Sequence, residues 1–394
     1  MVIAYVMAGK KGAKKGKKQE TQITERKKLT ANEKVRELEE EIRKTKYNKR
    51  TQHAIGLMKA KLAMLKERAV QRASAGKARG DDRFSVRKTG DATAVLLGFP
   101  SVGKSTLLNK LTSAKSDIAA YSFTTLSAVP GLMQYKSAKI QIIDVPGIVS
   151  GAASGRGRGK EVLTMLRSAD LILILVDSLY PQHYKAILDE VYQTGIRINQ
   201  EEPDVRITKK ERGGINISST MGLTKINNET IEGIAKEMKL SNCDIWIRED
   251  IDADQLIDVI EGGRIYTKSL TVLTKIDLTD KEQLRRLRDR INPDIAVSAE
   301  KDIRIEELKQ IIYDKMEFIR IFLKEVGKSA DMEEPLIMFK GCTIKDVCSK
   351  LHRDFIDKFK YARLWGTSAK FDGQIFKRLD KELADKDVLE LHMR

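Results

Sequence analysis

Apolar residues change their spacing near residue 90, which separates a helical N-terminal region from the rest of the chain. Over residues 30–74 they recur every three or four positions, at Val35, Leu38, Ile42, Ile55, Met58, Leu62 and Leu65. This period places them on one face of a helix, and a polar break midway predicts a helical hairpin. Thr30-Ala31-Asn32-Glu33 has the form of a capping box at its start, and Ala73–Gly80 has the composition of a flexible linker.

From Thr93 onward, short apolar runs alternate with helical patterns. Buried strands are predicted over 94–97, 140–144, 171–177, 270–274 and 295–298, with helices beginning at Lys104 and near Gly159. Strands that alternate with helices predict an α/β fold, in which a mostly parallel sheet is covered by helices on both faces.

The span between Asp177 and Leu270, about 90 residues, is too long for a single crossover connection. We predict a small α+β domain inserted over 183–245, which divides the domain of the large sheet into 90–182 and 246–328. A long helix near 303–327 is expected to end that domain. Further apolar segments predict a compact mixed domain over 329–394.

Composition indicates a globular protein of several domains, with 41% hydrophobic and 33% charged residues among 394. The longest apolar run, 171–176, is too short to cross a bilayer, and the first residues lack the basic leader of an export signal. We expect no membrane association and a cytoplasmic location. The three cysteines fit neither a disulfide framework nor paired metal ligands, so buried thiols in a reducing compartment are expected.

The net charge of +17 is concentrated at the N-terminus, because residues 1–90 carry 26 Lys and Arg against 10 Asp and Glu. Residues 1–29 repeat Lys and Gly with few apolar positions, which predicts a disordered basic tail. Such a segment attracts phosphate backbones through counterion release. For this tail and for the basic hairpin and linker over 30–80, plain solvated surface is the alternative, and an acidic membrane surface lacks a supporting aromatic face.

A phosphate-binding loop is predicted at Gly98-Phe99-Pro100-Ser101-Val102-Gly103-Lys104-Ser105-Thr106, between an apolar strand and a helix. Its glycines let backbone N–H groups turn toward phosphates. Lys104 would reach the β and γ phosphates, and Ser105 would offer its hydroxyl to Mg²⁺. The loop predicts that the chain binds a nucleoside triphosphate.

Asp144 and Gly147 follow the next buried strand, in Asp144-Val145-Pro146-Gly147. A carboxylate there can hold Mg²⁺ through water, and the Gly147 N–H can meet the γ phosphate. Between the two motifs, Ser122-Phe123-Thr124-Thr125 offers a threonine hydroxyl as a further ligand of Mg²⁺.

The base is predicted from Thr274-Lys275-Ile276-Asp277 at a strand end. The Asp277 carboxylate can accept from both N1–H and the 2-amino group of guanine, whereas adenine lacks that pair of donors and would leave the carboxylate unpaired. Lys275 would cover the purine ring. Ser298-Ala299-Glu300 would complete the pocket by presenting the Ala299 N–H to the guanine carbonyl.

Hydrolysis is less determined, because Ile148 stands where many GTPases place a glutamine that orients water. Three alternatives are open: a monovalent cation, a group supplied by a partner, and the Gly-rich stretch 150–159 with Arg156 and Arg158.

These motifs together resemble the Obg-like translation-factor GTPases and, within them, the developmentally regulated GTP-binding protein family. Further matching segments are Tyr121–Leu126, Lys209–Asn216, Ile257–Gly262 and Phe359–Gly366. The resemblance covers nearly everything from about residue 30 to residue 394 and implies a Ras-like P-loop GTPase sheet, a ribosomal-protein-like insertion and a C-terminal β-grasp domain of the TGS type.

The resemblance also implies function. It implies a monomeric GTPase with Mg²⁺, in which Lys104, Thr125 and Gly147 serve hydrolysis, often stimulated by K⁺, and Thr125 rather than Thr124 holds the metal. It further implies association with ribosomes and RNA and a dedicated regulatory partner protein.

The sequence departs from the family at three places. Thr274 replaces the usual Asn, which is expected to weaken a hydrogen bond that braces the phosphate loop, and Ser101 replaces an Asn ligand of K⁺. The segment 370–376 also differs from the usual family ending.

The predicted function is a slow GTPase whose nucleotide state sets its affinity for ribosomes or RNA. The alternatives are an RNA-binding assembly scaffold with GTP as a structural ligand and an ATPase.

Overall fold

A computed structural model describes residues 31–46, 48, 50–74, 90–112, 129–145, 165–352 and 354–394. In chain order its helices are α1 (Ala31–Lys44), α2 (Gln52–Ser74), α3 (Lys104–Leu111), α4 (His183–Gln193), α5 (Asn228–Glu237), α6 (Ala253–Glu261), α7 (Lys281–Ile291), α8 (Ile305–Met316), α9 (Ile344–Leu351) and α10 (Asp354–Lys358). The strands are β1 (Ala92–Leu97), β2 (Val129–Tyr135), β3 (Ala138–Asp144), β4 (Leu171–Asp177), β5 (Ile196–Ile198), β6 (Val205–Lys209), β7 (Ile215–Ser219), β8 (Cys243–Ile247), β9 (Ile265–Thr274), β10 (Ile295–Ala296), β11 (Phe318–Leu323), β12 (Leu336–Phe339), β13 (Phe359–Trp365), β14 (Gln374–Phe376) and β15 (Val388–Met393).

The large sheet has the strand order β10-β9-β4-β1-β3-β2, and β5 pairs with the same β9. Its pairs are parallel except that of β2 with β3. Strands β1 and β4 are buried along their whole length, because separate apolar clusters cover the two faces of the sheet. The predicted α/β class is confirmed.

The inserted unit has a three-stranded sheet of order β6-β8-β7, in which β8 is antiparallel to β6 and parallel to β7. The boundaries predicted for it, 183 and 245, are wrong. Helix α4 and strand β5 belong to the large sheet, because Ile187 and Ile196 pack in its core. Helix α6 belongs to the inserted unit through Leu256. The unit therefore lies between β5 and β9, over residues 199–264.

The N-terminal helices α1 and α2 lie where the hairpin is predicted, and α2 packs on the inserted unit. Ala60 is fully buried in the core of that unit. Helix α2 packs closely on α5 at Gly56, where an added Cβ would lie 2.9 Å from the side-chain atom Thr230 Cγ2. An ion pair of 2.5 Å between Lys59 and Asp254 adds to the contact with α6.

The C-terminal unit is a five-stranded sheet of order β12-β11-β15-β13-β14. The helix predicted near 303–327 is wrong in its second half, because α8 ends at Met316 and Glu317 adopts a left-handed conformation, with φ of 52°. Residues 318–323 then form strand β11, in which the buried Ile319 and Ile321 flank a partly buried position. The unit thus begins at 318, not at the predicted 329.

The structure also describes the three cysteines and the apolar character of the helices. Cys243, Cys342 and Cys348 are buried free thiols, and burial raises the pKa of Cys342 to about 11. Among the residues that the structure describes, none of the helices combines the length and the apolar character needed to traverse a bilayer.

Candidate nucleotide site

Four of the predicted site segments lie at one edge of the large sheet, together with Asp177. The phosphate loop follows β1, Asp144 ends β3, Asp177 ends β4, Lys275 follows β9, and Ser298 lies just after β10. Because neighbouring strands are parallel, their carboxyl ends share this edge, which is where ligands bind in open α/β sheets. Register confirms the alignment: Leu96 pairs with Asp144, and Asp177 pairs with Thr274.

The phosphate loop has the backbone that its glycines allow. A Cβ at Gly98 would lie 2.9 Å from the carbonyl oxygen of Leu175, so the loop leaves the sheet too close to β4 for a side chain. Gly103 has φ of 97° and Ser101 has φ of 62°, so both adopt left-handed conformations. Helix α3 begins immediately afterwards at Lys104, and its N-terminus directs a positive dipole end toward the loop.

The Lys104 ammonium group lies inside the loop. It donates to the carbonyl oxygens of Gly98 and Phe99, each at 3.1 Å. Burial lowers the pKa of Lys104, and the charge of Asp144 partly opposes that shift. A cation held only by carbonyls in a partly desolvated loop gains most from a phosphate, which supplies the full negative charge that it lacks.

Ser105 and Asp144 form a pair suited to a magnesium ion. The Ser105 hydroxyl donates to Asp144 Oδ2 at 2.9 Å, whereas the buried Asp144 Oδ1 has no hydrogen-bond partner among the residues that the structure describes. A hydroxyl and a carboxylate are oxygen ligands of the kind that Mg²⁺ prefers next to substrate phosphates. These two residues fit the predicted metal role.

On the base side, Thr274 is buried and contacts the phosphate loop. Its hydroxyl lies 2.9 Å from the carbonyl oxygen of Val102 and 3.2 Å from that of Val176. The brace that the sequence analysis expects to be weakened is therefore supplied by the threonine. The Val102 side chain is itself buried, which fixes the loop against the sheet.

Asp277 and Ser298 lie together. A hydrogen bond from Ser298 holds the pKa of Asp277 below its usual range, and the Lys301 ammonium, 3.9 Å away, acts in the same direction. The carboxylate is thus ionised at neutral pH and can accept two hydrogen bonds. Ser298 is fully buried, and Ala299 packs against the core of the large sheet.

Sequence reasoning missed two contacts of this site. Lys275 adopts a left-handed conformation, with φ of 57°, and its ammonium group lies 2.8 Å from Asp177. Asp177 is the one charged residue of an otherwise apolar strand, which is the signal that could have identified it. In addition, Phe99 of the phosphate loop stacks on His183 of α4, with ring centroids 3.8 Å apart and planes 8° apart.

Several predicted positions lie outside the described residues: Thr124, Thr125, Gly147, Ile148, Arg156 and Arg158. Pro100, Ser101, Ser105 and Thr106 are exposed at the open side of the loop. The described part of the site therefore brings together the phosphate loop, the Asp144 carboxylate and both segments predicted to recognise the base.

Three family models together cover the chain from residue 93 to residue 393. The model described as a 50S ribosome-binding GTPase matches residues 93–210, and the model of the C-terminal region of that domain matches 212–318. A TGS domain model matches residues 319–393, which agrees with the start of β11.

Curated relatives match over most of their own length. An uncharacterised GTP-binding protein of Methanocaldococcus jannaschii is 53% identical over 91% of this chain and 92% of that protein. Developmentally-regulated G-protein 3 of Arabidopsis thaliana is 41% identical over 92% of this chain and 98% of that protein. Ribosome-interacting GTPase 1 of Saccharomyces cerevisiae is 40% identical over 92% of this chain and 99% of that protein. With the P-loop and TGS domains in place, this chain is a GTPase that belongs to the family of developmentally regulated GTP-binding proteins.

Proposed function

We propose that this GTPase hydrolyses GTP to GDP and phosphate and acts as a nucleotide-dependent switch on ribosomes or ribosomal RNA. The observation that carries the proposal is the contact of Thr274 with Val102, which ties the guanine-recognition segment to the phosphate loop. A contact that joins the base-binding segment to the phosphate loop suits a protein whose conformation depends on the bound nucleotide.

In the proposed complex, Lys104 exchanges its loop carbonyls for the β and γ phosphates, and α3 adds its dipole. Ser105 and Asp144, with Thr125, would hold Mg²⁺, which neutralises charge on the phosphates when bound. Asp277 accepts from guanine, Lys275 covers the base, and the Ala299 N–H donates to the guanine carbonyl. Thr274 positions the phosphate loop through its contact with Val102, and Ser298 positions Asp277 through a hydrogen bond.

Switching would arise at the segments that contain Thr125 and Gly147. Contact with the γ phosphate orders such segments in GTPases, and hydrolysis releases them. Because the Ile148 side chain cannot form a hydrogen bond, it cannot orient the attacking water. The attacking water is instead oriented by K⁺, by a group on the ribosome or regulatory partner, or by the Gly-rich stretch 150–159 with Arg156 and Arg158, and intrinsic hydrolysis is slow.

The basic N-terminal region is proposed to contact ribosomal RNA. Residues 1–29 carry nine Lys and Arg against two Glu, a density that favours a polyanionic partner. The name of the yeast relative and the description of the matching family model support a ribosomal partner. We place the protein in the cytoplasm as a monomer that a family-specific regulatory protein stabilises.

Sedimentation with ribosomes in the presence of a GTP analogue or GDP tests the switch, with Lys104→Ala as the nucleotide-free control. We expect tighter association with the analogue, and equal association in both states would overturn the switch. GTP turnover measured with K⁺, with Na⁺ and with added ribosomes then identifies the activator.

Deletion of residues 1–29 tests the RNA contact without removing α2 from the inserted core. We expect weaker ribosome association at unchanged intrinsic turnover. If the intact protein, even with ribosomes, hydrolysed GTP no faster than Lys104→Ala, the assembly scaffold would be favoured instead.

A further inference from the structure

The inserted unit presents one face of its sheet to solvent. Its helices α5 and α6, together with α2, pack on the other face, where Ile207, Ile217 and Ile245 point into the core. The opposite side chains form what we call the outer face: Arg206, Thr208, Asn216, Ser218, Asp244 and Trp246. No helix or strand of the described chain packs on these side chains.

Trp246 stands at the centre of the outer face. It lies on the middle strand β8, directly across from Arg206 on β6 and from Ser218 on β7. Its side chain is 51% exposed although β-strand positions on both sides of it are fully buried. A large aromatic ring left in water on a polar sheet face loses the free energy that its burial would supply, so its position indicates a surface used for contact.

The charges around Trp246 favour an anion. Asp244 is already paired with Lys210 at 2.5 Å and accepts from Asn216 at 3.0 Å, and these hydrogen bonds lower its pKa. Arg206 is exposed and makes no ion pair with any described residue. It is the charged group nearest to Trp246 in the strand register that is still available to a ligand.

The loop that leaves β6 extends this positive surface. Arg212 is exposed and lacks an ion-pair partner in the described part of the chain, with Glu211 as the acid beside it. Lys209 follows the alternation of Val205 and Ile207 and so lies on the opposite side of the sheet. At the other end, Arg248 is tied to Asp204 at 3.6 Å. The free cations therefore lie along the β6 side of the ring.

We propose that the outer face binds single-stranded RNA, with one base stacked on Trp246 and the adjoining phosphates on Arg206 and Arg212. Hydroxyl and amide groups of Thr208, Ser218 and Asn216 flank the stacked base and can donate to its edge or to a 2′-hydroxyl. Aromatic rings on open sheets bind unstacked bases, and cations along the same strand follow the backbone.

Single-stranded RNA fits this face better than the two nearest alternatives. A duplex hides the faces of its bases, so it would use the cations and leave the ring idle. An acidic peptide would likewise neutralise Arg206 without a partner for Trp246. This contact is separate from the basic tail and does not depend on nucleotide hydrolysis, so it goes beyond the proposed switch.

The two tryptophans of the chain allow a direct test, because Trp365→Phe leaves Trp246 as the only indole. The full-length Trp365→Phe protein is titrated with a single-stranded oligouridylate of about eight nucleotides, within the usual site sizes of such surfaces. We expect saturable quenching of Trp246 fluorescence. A duplex of the same length or polyglutamate should cause no comparable quenching, and equal quenching by either would overturn the proposal.

Affinity measured by anisotropy of a labelled oligonucleotide supplies the second readout. Trp246→Ala should weaken binding by about tenfold, as expected for loss of one stacked base, whereas Trp246→Phe should retain most of the affinity. The measurement is made at moderate and high salt, since the tail contributes less at high salt. Phe371→Ala, which removes another exposed ring from the C-terminal unit, is the matched control.

Failure of this proposal is distinguishable from failure of the switch. GTP turnover and nucleotide-dependent ribosome sedimentation of Trp246→Ala report on the proposed function, while quenching and anisotropy report on the outer face. Unchanged RNA affinity of Trp246→Ala at high salt would overturn the stacking site whatever the turnover shows.

Discussion

The Thr274 hydroxyl lies 2.9 Å from the carbonyl oxygen of Val102, and this contact joins the end of β9 to the phosphate loop. The two residues are 172 positions apart in sequence, and both are buried. Threonine is shorter than the asparagine that the family resemblance leads one to expect, yet it reaches the loop because Val102 packs inward against the sheet.

Replacing Thr274 with Val removes this contact while keeping the shape of the side chain. We expect a loss of about 1–3 kcal/mol in the free energy of unfolding, since carbonyl oxygens of Val102 and Val176 lose a buried donor. GDP affinity should fall as well, because the loop loses its brace. Thr274→Ser keeps the hydroxyl and is the control for calorimetric titration with GDP. Equal GDP affinity of the Val and Ser variants would show that the brace does not serve binding.

Asp277→Asn is expected to change the preferred base from guanine to xanthine. The amide offers one acceptor and one donor where the carboxylate offers two acceptors, so the pair of guanine donors is no longer matched. Affinity for GDP should fall by about a hundredfold or more, given about 1.5–3 kcal/mol for each hydrogen bond to a charged group. Affinity for xanthosine diphosphate, whose 2-carbonyl accepts from the amide, should rise. Competition between the two nucleotides measures the exchange, and unchanged preference for GDP would place the base elsewhere.

The buried ion pair between Arg197 and Asp258 connects β5 of the large sheet with α6 of the inserted unit, through bonds of 2.5 and 2.6 Å. Asp258→Ala leaves a buried guanidinium without its carboxylate and should cost about 3–5 kcal/mol of unfolding free energy. The double variant Arg197→Met with Asp258→Leu should recover much of that loss. Glu282→Ala, which breaks an exposed pair with Arg286, should change stability by less than about 1 kcal/mol. Chemical denaturation provides the comparison, and a double variant as unstable as Asp258→Ala would contradict the electrostatic account.

A side chain at Gly56 should crowd α5, because an added Cβ would meet the side-chain atoms Thr230 Cγ2 at 2.9 Å and Ile234 Cδ1 at 3.3 Å. We expect Gly56→Ala to loosen α2 from the inserted unit, and hydrogen exchange should become faster in both α2 and α5. Ala54→Gly, at an exposed position of the same helix, controls for helix propensity. Unchanged exchange in Gly56→Ala would mean that α2 does not pack as described.

Glu390 makes the stability of the C-terminal unit depend on pH. Burial raises the pKa of this carboxyl, but hydrogen bonds from Lys324 and His392 outweigh it, and the net pKa lies below the usual glutamate value of 4.5. A lowered folded pKa contributes stability that is present above 4.5 and is lost as the pH falls further. The unfolding temperature should therefore fall less steeply with decreasing pH in Glu390→Gln than in the parent protein. Glu325→Gln, at an exposed pair, should follow the parent curve.

The sequence predicts the sheet well, because apolar strands alternate with helices, and the described nucleotide motifs lie at strand ends. It failed where a tertiary contact decides the outcome. Residues 318–323 were predicted as helix, yet Ile319 and Ile321 alternate toward a second core once Glu317 turns the chain. The sequence also could not show that Asp177 pairs with Lys275, because the two residues meet only through the pairing of β4 with β9.

The inserted unit leaves the large sheet after β5 and returns at β9, and these two strands are neighbours. Strands in a sheet lie about 4.8 Å apart, so the chain enters and leaves the unit at neighbouring points, while α2, which packs on the unit, continues in sequence through residues 75–89 to β1. The buried Arg197–Asp258 ion pair holds the unit to the nucleotide domain at this entry point, so the two units meet through a fixed charged contact as well as through the chain.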